Sequence, residues 1–142
     1  MREALCLARS GGQSGEVPVG AVVVIGGEIV AGAWNAPVTR HDPTAHAEIL
    51  ALREAGERNG NYRLEEATLY CTLEPCIMCA GALVAARIRR LVFAARDLRF
   101  GGVRSKFRLA DSDLLNHKVE IVEGILAPEC VELLQGFFEA RR

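Results

Sequence analysis

No apolar run in this chain reaches the roughly 20 residues that a helix needs to span a bilayer. The N-terminus also lacks the basic, apolar and small-residue succession of a secretory signal. Aromatic residues make up only 6% of the chain, and no repeat, low-complexity tract or linker interrupts it. Five cysteines, an odd number, do not make a disulfide framework, so a reducing, cytoplasmic setting without a membrane is expected. Net charge is nearly absent at -1, but it is unevenly spread. Residues 87–108 hold eight basic side chains (Arg87, Arg89, Arg90, Arg96, Arg99, Arg104, Lys106 and Arg108) against the single acid Asp97. Such a segment suits either an anionic partner or a solvated surface laced with ion pairs.

What is present in quantity is small and branched apolar residue, with half of the chain hydrophobic. At 142 residues this suits one α/β domain with a sizeable core. Helical spacing of Ala4, Leu5, Leu7 and Ala8 predicts a helix over residues 1–10, stopped by Gly11-Gly12. Residues 17–25 and 28–34 read as strands joined at Gly26-Gly27 in a hairpin. After a loop over residues 35–44, with Thr44 as N-cap, a helix is expected over residues 45–58. A strand follows at 67–72, then a helix from Pro75 to about residue 87 with proline in its first turn. Strands at 91–95 and 119–124 and a helix at 128–140 complete the chain, with Leu133, Leu134, Phe137 and Phe138 on one side of that helix. Residues 96–118 are expected to be mostly irregular, with a helical turn near 109–115. A hairpin followed by helix-separated strands implies a mixed sheet of about five strands, helices on both faces and parallel neighbours across the crossovers.

Residues 46–79 carry the chemistry. Cys76 and Cys79, three apart at a helix start, point to one side, where the helix dipole favours the metal-binding thiolate. Alone, Cys-x-x-Cys serves redox enzymes as well as metal sites. His46 supplies a third ligand from a second helix start, and Glu48 follows two residues later. On an ideal helix those two would lie about 200° apart. They converge only at a site beyond the helix end, which requires two helix N-termini facing one ion at the carboxyl edge of a sheet. Three ligands leave a tetrahedral position for water, the pattern of a catalytic zinc, which lowers that water's pKa to about 7. Glu48 is then the general acid and base. Two other arrangements fit these residues: a structural Cys2His2 site completed by His41, and a thioredoxin-like dithiol. The first leaves Glu48 without a task, and the second leaves the whole of His46-Ala47-Glu48 without one. Cys6, Cys71, Cys130 and Trp34 read as core residues.

The joined motifs His46-Ala47-Glu48 and Pro75-Cys76-Ile77-Met78-Cys79 resemble those of the cytidine deaminase-like zinc deaminases. Within them the chain is most similar to the bacterial tRNA-specific adenosine deaminases. That similarity runs through Glu16-Val17-Pro18-Val19-Gly20-Ala21-Val22, Trp34-Asn35, His41-Asp42-Pro43-Thr44-Ala45, Asn61-Tyr62-Arg63-Leu64, Thr72-Leu73-Glu74, Ala95-Arg96-Asp97, Leu115-Asn116-His117 and Gly124-Ile125-Leu126. It implies a three-layer α/β/α fold over residues 1–142 as a single domain, and a homodimer with one zinc per subunit on His46, Cys76 and Cys79. The implied reaction converts adenosine to inosine at wobble position 34 of a tRNA anticodon stem-loop, with Glu48 moving protons. Asn35 and the backbone of Ala47 are implied to hold the target nucleoside, and Asp97 and His117 to line the RNA cleft. The likeness departs at Gly101-Gly102-Val103-Arg104-Ser105, where many members carry small residues. Val103 and Arg104 are expected to reshape the cleft or to contact a phosphate. A deaminase of a free base or nucleoside, of guanine or cytosine type, is the second reading. A non-catalytic, zinc-stabilised RNA-binding module is the third.

Overall fold

The computed structural model describes residues 1–142. Ten elements follow in order: α1 (Arg2–Gln13), β1 (Gly20–Ile25), β2 (Glu28–Trp34), α2 (Pro37–Arg40), α3 (Ala47–Asn59), β3 (Thr68–Leu73), α4 (Ile77–Ala85), β4 (Arg90–Ala95), β5 (Glu120–Glu123) and α5 (Ala127–Glu139). The five strands form one mixed sheet in the order β2-β1-β3-β4-β5. β1 is antiparallel to both of its neighbours, whereas β3, β4 and β5 run parallel. The hairpin between β1 and β2 turns on Gly26 and Gly27, both at positive φ (60° and 78°), a conformation that glycine adopts without a steric cost. The α3 crossover does not place β3 beside β2 as expected. β1 lies between them, so this parallel crossover reaches one strand further.

The two faces of the sheet are covered differently. Ala21, Val23, Leu69, Leu91 and Phe93 meet α3 and α4 through Ala51, Ala55, Ala80 and Leu83, so alanine-rich helices lie close on the sheet. On the other face, Leu5 of α1 and Cys130 of α5 pack against Ala94 and Ala95. α1 runs through Gly11-Gly12 to Gln13 instead of stopping at Ser10, because Gly11 is where Trp34 crosses it. A Cβ there would stand 3.0 Å from the indole. Trp34 is accordingly 37% exposed and not a core residue, and Phe138 of α5 is likewise exposed.

Gly20 sits under α1, where a Cβ would collide with the Ala4 carbonyl and the Ala8 amide. Gly20→Ala is expected to destabilise the protein by about 1–3 kcal/mol, because a packed core does not accept added volume. The measurement is a fall in urea midpoint at unchanged slope. Gly81, on α4, faces open space and provides the opposite sign: Gly81→Ala should gain about 0.5–1 kcal/mol from helix propensity. Equal losses at both positions would contradict this packing account.

Candidate metal and active site

β2 and β3 run in the same direction, so their carboxyl ends share one edge of the sheet, and α3 and α4 start above that edge. His46 is the N-cap of α3 and Cys76 the N-cap of α4, both in extended backbone conformation (ψ 152° and 179°). Each helix starts two residues later than its sequence suggests. Thr44 does not cap α3. Its amide and hydroxyl both donate to Asp42 Oδ1, at 2.8 and 2.7 Å, in a turn that delivers His46. Pro75 stays outside α4, and its carbonyl accepts from the Gly102 amide at 2.8 Å. The late start explains how His46 and Glu48 converge. His46 is off the helical path, so the 200° separation of a regular helix does not apply to it.

The side chains of His46, Cys76 and Cys79 form a single cluster, each offering one ligand atom within 4.8 Å of the others. His46 Nδ1 is 3.5 Å from Cys76 Sγ and also 3.5 Å from Cys79 Sγ. One ring nitrogen carries one proton or one lone pair and cannot hydrogen-bond both sulfurs at once. Zinc bonds of about 2.0–2.1 Å to nitrogen and 2.3 Å to sulfur at a tetrahedral angle place N and S about 3.6 Å apart. The donor set and its spacing therefore fit that metal. His41, the alternative fourth ligand, is exposed on the left-handed residue that ends α2 and is outside the cluster. The Cys79 thiol, donating towards Cys76, and His46 beside it draw the Cys76 thiol down to about 4 against the opposing effect of burial. The same sharing pushes Cys79 upward. One negative charge thus settles on the sulfur at the α4 N-terminus, where the helix dipole favours it.

Glu48 is 4% exposed, in the first turn of α3. Burial above all raises its pKa, with His46, Cys76 and the Cys71 thiol as its polar surroundings. Cys71, on β3, is itself fully buried, and burial holds its thiol neutral. Ala47 is fully buried between His46 and Glu48. Asn35 follows β2 directly, its amide donating to Val19 O at 3.0 Å. The next residue, Ala36, donates to Ala45 O at 2.9 Å, which ties this strand end to the His46 loop. Asp97 follows β4 at the same edge. Its Oδ1 accepts from the amides of Arg99 (3.0 Å) and Phe100 (3.1 Å).

His117 does not join these residues. Its Nε2 donates to the Ile88 carbonyl at 2.8 Å, ahead of the starts of β4 and β5. Those starts lie at the amino edge of the parallel strands, about 17–20 Å from the cluster for six-residue strands. In this position His117 fastens the loop between β4 and β5, apart from the His46, Cys76 and Cys79 cluster. For Val103 and Arg104, of the two expected effects the phosphate contact is not supported. Val103 is fully buried, and Arg104 is held by a two-pronged pair with Asp111 (3.1 and 2.9 Å), so neither reaches out to a phosphate. Arg90 and Arg96 pair with Glu120 and Glu123, so three of the eight basic residues in 87–108 are engaged with carboxylates.

Two buried carboxylates escaped the sequence reading. Glu16, 1% exposed, accepts from the amides of Val38 (3.3 Å) and Thr39 (2.7 Å) and from the Thr39 hydroxyl (2.7 Å), which secures the turn after Asn35. Those bonds hold it below the usual carboxylate range although burial opposes them. Glu74, 2% exposed, stands between β3 and the Pro75-Cys76 helix start and holds the loop that carries Asp97. The available signal was an acid directly beside an otherwise apolar strand end.

All 142 residues match the MafB19-like deaminase family. The tRNA-specific adenosine deaminase of Haemophilus influenzae is 49% identical over the full chain and 83% of its own length. A solved structure from work on A-to-I editing by tRNA:A34 deaminases superposes with a TM-score of 0.91 at 44% identity, covering 94% of this chain and 97% of that one. A guanine deaminase from Nitrosomonas europaea superposes with a TM-score of 0.82 at 26% identity, covering 96% and 81%. In sequence and in fold, the chain belongs to the MafB19-like deaminases, alongside the tRNA-specific adenosine deaminases.

Proposed function

We propose that this deaminase converts adenosine to inosine at the wobble position of a tRNA anticodon stem-loop, acting as a single domain with one zinc ion per subunit. The observation that carries the reading is the meeting of His46, Cys76 and Cys79 at one point, with the buried carboxyl of Glu48 beside it. The two thiolates and the imidazole would hold the ion, and when bound it supplies Lewis acidity that brings a water's pKa to near neutral. Deamination forms a C6–O bond with water and breaks C6–N6, releasing ammonia. Glu48 takes one proton from water and delivers it to the purine ring nitrogen, then carries the second proton, from the new C6 hydroxyl, to the departing amine. Asn35 orients the nucleoside, and Ala47 contributes its backbone beside the base. Asp97, with its carboxylate already tied to two amides, bounds the cleft on the opposite side.

RNA as substrate draws support from the cleft rim. Leu98 and Phe100 are 73% and 62% exposed, and the Arg99 guanidinium lies 5.5 Å from the Phe100 ring centre. Exposed apolar and cationic side chains suit unstacked bases and phosphates. A homodimer is supported by a groove between α3 and α4 in which Ile49, Leu52, Tyr62 and Ala82 are flanked by the charged Arg53 and Glu57. A cytoplasmic setting suits five unpaired thiols, and no helix is long and apolar enough to cross a membrane.

The test offers the zinc-loaded protein an anticodon stem-loop with adenosine at the wobble position, beside free adenosine, cytidine and guanine. Inosine is expected in the RNA alone, detected by mass spectrometry of its nucleosides. Conversion of a free base with untouched RNA would replace this reading with base salvage. Bound zinc with no conversion anywhere in the panel would leave a binding module.

A further inference from the structure

The loop after β4 has no regular secondary structure, yet it is anchored at many points along its length. Five of its hydrogen bonds lead to Glu74. Glu74 Oε1 accepts from the amides of Val103 (3.2 Å), Arg104 (2.5 Å) and Ser105 (2.8 Å). Oε2 accepts from the amide of Asp97 (3.0 Å) and the hydroxyl of Ser105 (2.5 Å). Five donors thus surround one carboxylate, and no cation lies within ion-pair distance of it. Gly101 bridges to Cys76, and a Cβ on Gly101 would run into the Glu74 carboxylate. A Cβ on Gly102 would stand 2.9 Å from the backbone of Cys76 and Ile77. The carboxylate therefore holds the loop that carries Asp97 directly against the backbone of a metal-ligand residue.

We propose that Glu74 is a positioning residue: its carboxylate, through the backbone amides of Asp97 and of residues 103–105, fixes the cleft wall against the Cys76 helix start and so governs substrate affinity. It touches no ligand atom of the cluster, and its effect on the reaction runs through Asp97 and the loop. The inference rests on the deaminase reading of the site. Glu74→Gln preserves shape but turns one acceptor oxygen into a donor facing other donors, whichever way the amide lies. Asp97 with the Ser105 hydroxyl, or residues 103–105 together, then lose their acceptor.

The experiment compares the zinc-loaded unmodified protein with Glu74→Gln and with Ser105→Ala. It measures amide hydrogen exchange, zinc per chain, and kcat and KM on the wobble-adenosine stem-loop. Glu74→Gln is expected to speed exchange at residues 97 and 103–105 by about tenfold or more. It should raise KM by a similar factor, with zinc content unchanged and kcat within about threefold of the unmodified protein. Ser105→Ala removes one donor and should move exchange and KM in the same direction by about two- to threefold. Unchanged exchange and KM in Glu74→Gln would overturn the proposal. A loss of zinc and kcat at constant KM would also overturn it, by making Glu74 a support of the ligand set. If Glu74→Gln does not fold, Ser105→Ala decides, and no change there refutes the proposal. An unmodified protein inert on RNA defeats the proposed substrate only, and the exchange rates then decide the role of Glu74.

Discussion

Glu48→Gln is expected to lower kcat by about 10²–10⁴-fold, the range attributable to a lost general acid and base, while the protein keeps its zinc and its fold. The substitution is isosteric, and Glu48 is not a member of the ligand cluster, so neither the metal nor the helix start depends on its charge. A carboxyl this deeply buried is costly to hold, so replacing it with a neutral amide removes no stabilising ion pair. The fall should appear in kcat and kcat/KM together, because the lost proton transfer belongs to the transition state. Three readings settle the matter: turnover on the stem-loop, zinc per chain, and thermal melting. Undiminished turnover with zinc in place would remove Glu48 from the chemistry and require another base.

Cys79→Ala has the other large expected effect, and it differs in kind. Cys79 is fully buried in the first turn of α4, and with Cys76 it would provide both sulfur ligands of the proposed site. Loss of one of three protein ligands is expected to weaken zinc binding by more than about 10²-fold, beyond the cost of disturbing an outer partner of a ligand. Turnover should fall below detection at any zinc concentration that does not itself precipitate the RNA. Chelation of the unmodified protein should have the same effect and be reversed by added zinc. Both sulfurs must be deprotonated to hold zinc, so zinc affinity falls as pH falls. Zinc bound at one per chain in Cys79→Ala, with activity intact, would contradict the proposed ligand set.

How much of this was legible in the sequence depended on the range of the interactions involved. Val17 to Ile25 and the Gly26-Gly27 turn are local signals, and the hairpin follows them, with β1 beginning only at Gly20. The meeting of His46, Cys76 and Cys79 was legible because three ligand-type side chains stand at two helix starts. Thr44 was misjudged because a threonine after Asp42-Pro43 can cap a helix or close an aspartate turn, and the aspartate carboxylate won. The segment 96–118 looked irregular because its order is not periodic. It is fastened by Glu74, more than twenty residues upstream, and by Asp111 and Ile88. His117 shows the reach of a resemblance: it names a residue whose place, beside Ile88 and apart from the metal cluster, only the fold gives. A resemblance identifies a residue but not the edge of the sheet on which its strand begins.

The way Glu74 holds its loop separates shape from sequence. Four of its five bonds come from backbone amides, which every non-proline residue supplies. Gly101 and Gly102, where a Cβ has no room, and the buried Val103 are fixed in identity by the packing. The outward side chains at Leu98, Arg99, Phe100, Lys106 and Phe107 can therefore be randomised without dismantling the wall that bears them. For retargeting the enzyme to other nucleic-acid contexts, those five positions form a ready-made library site, with Glu74, the two glycines and Val103 as its constant frame.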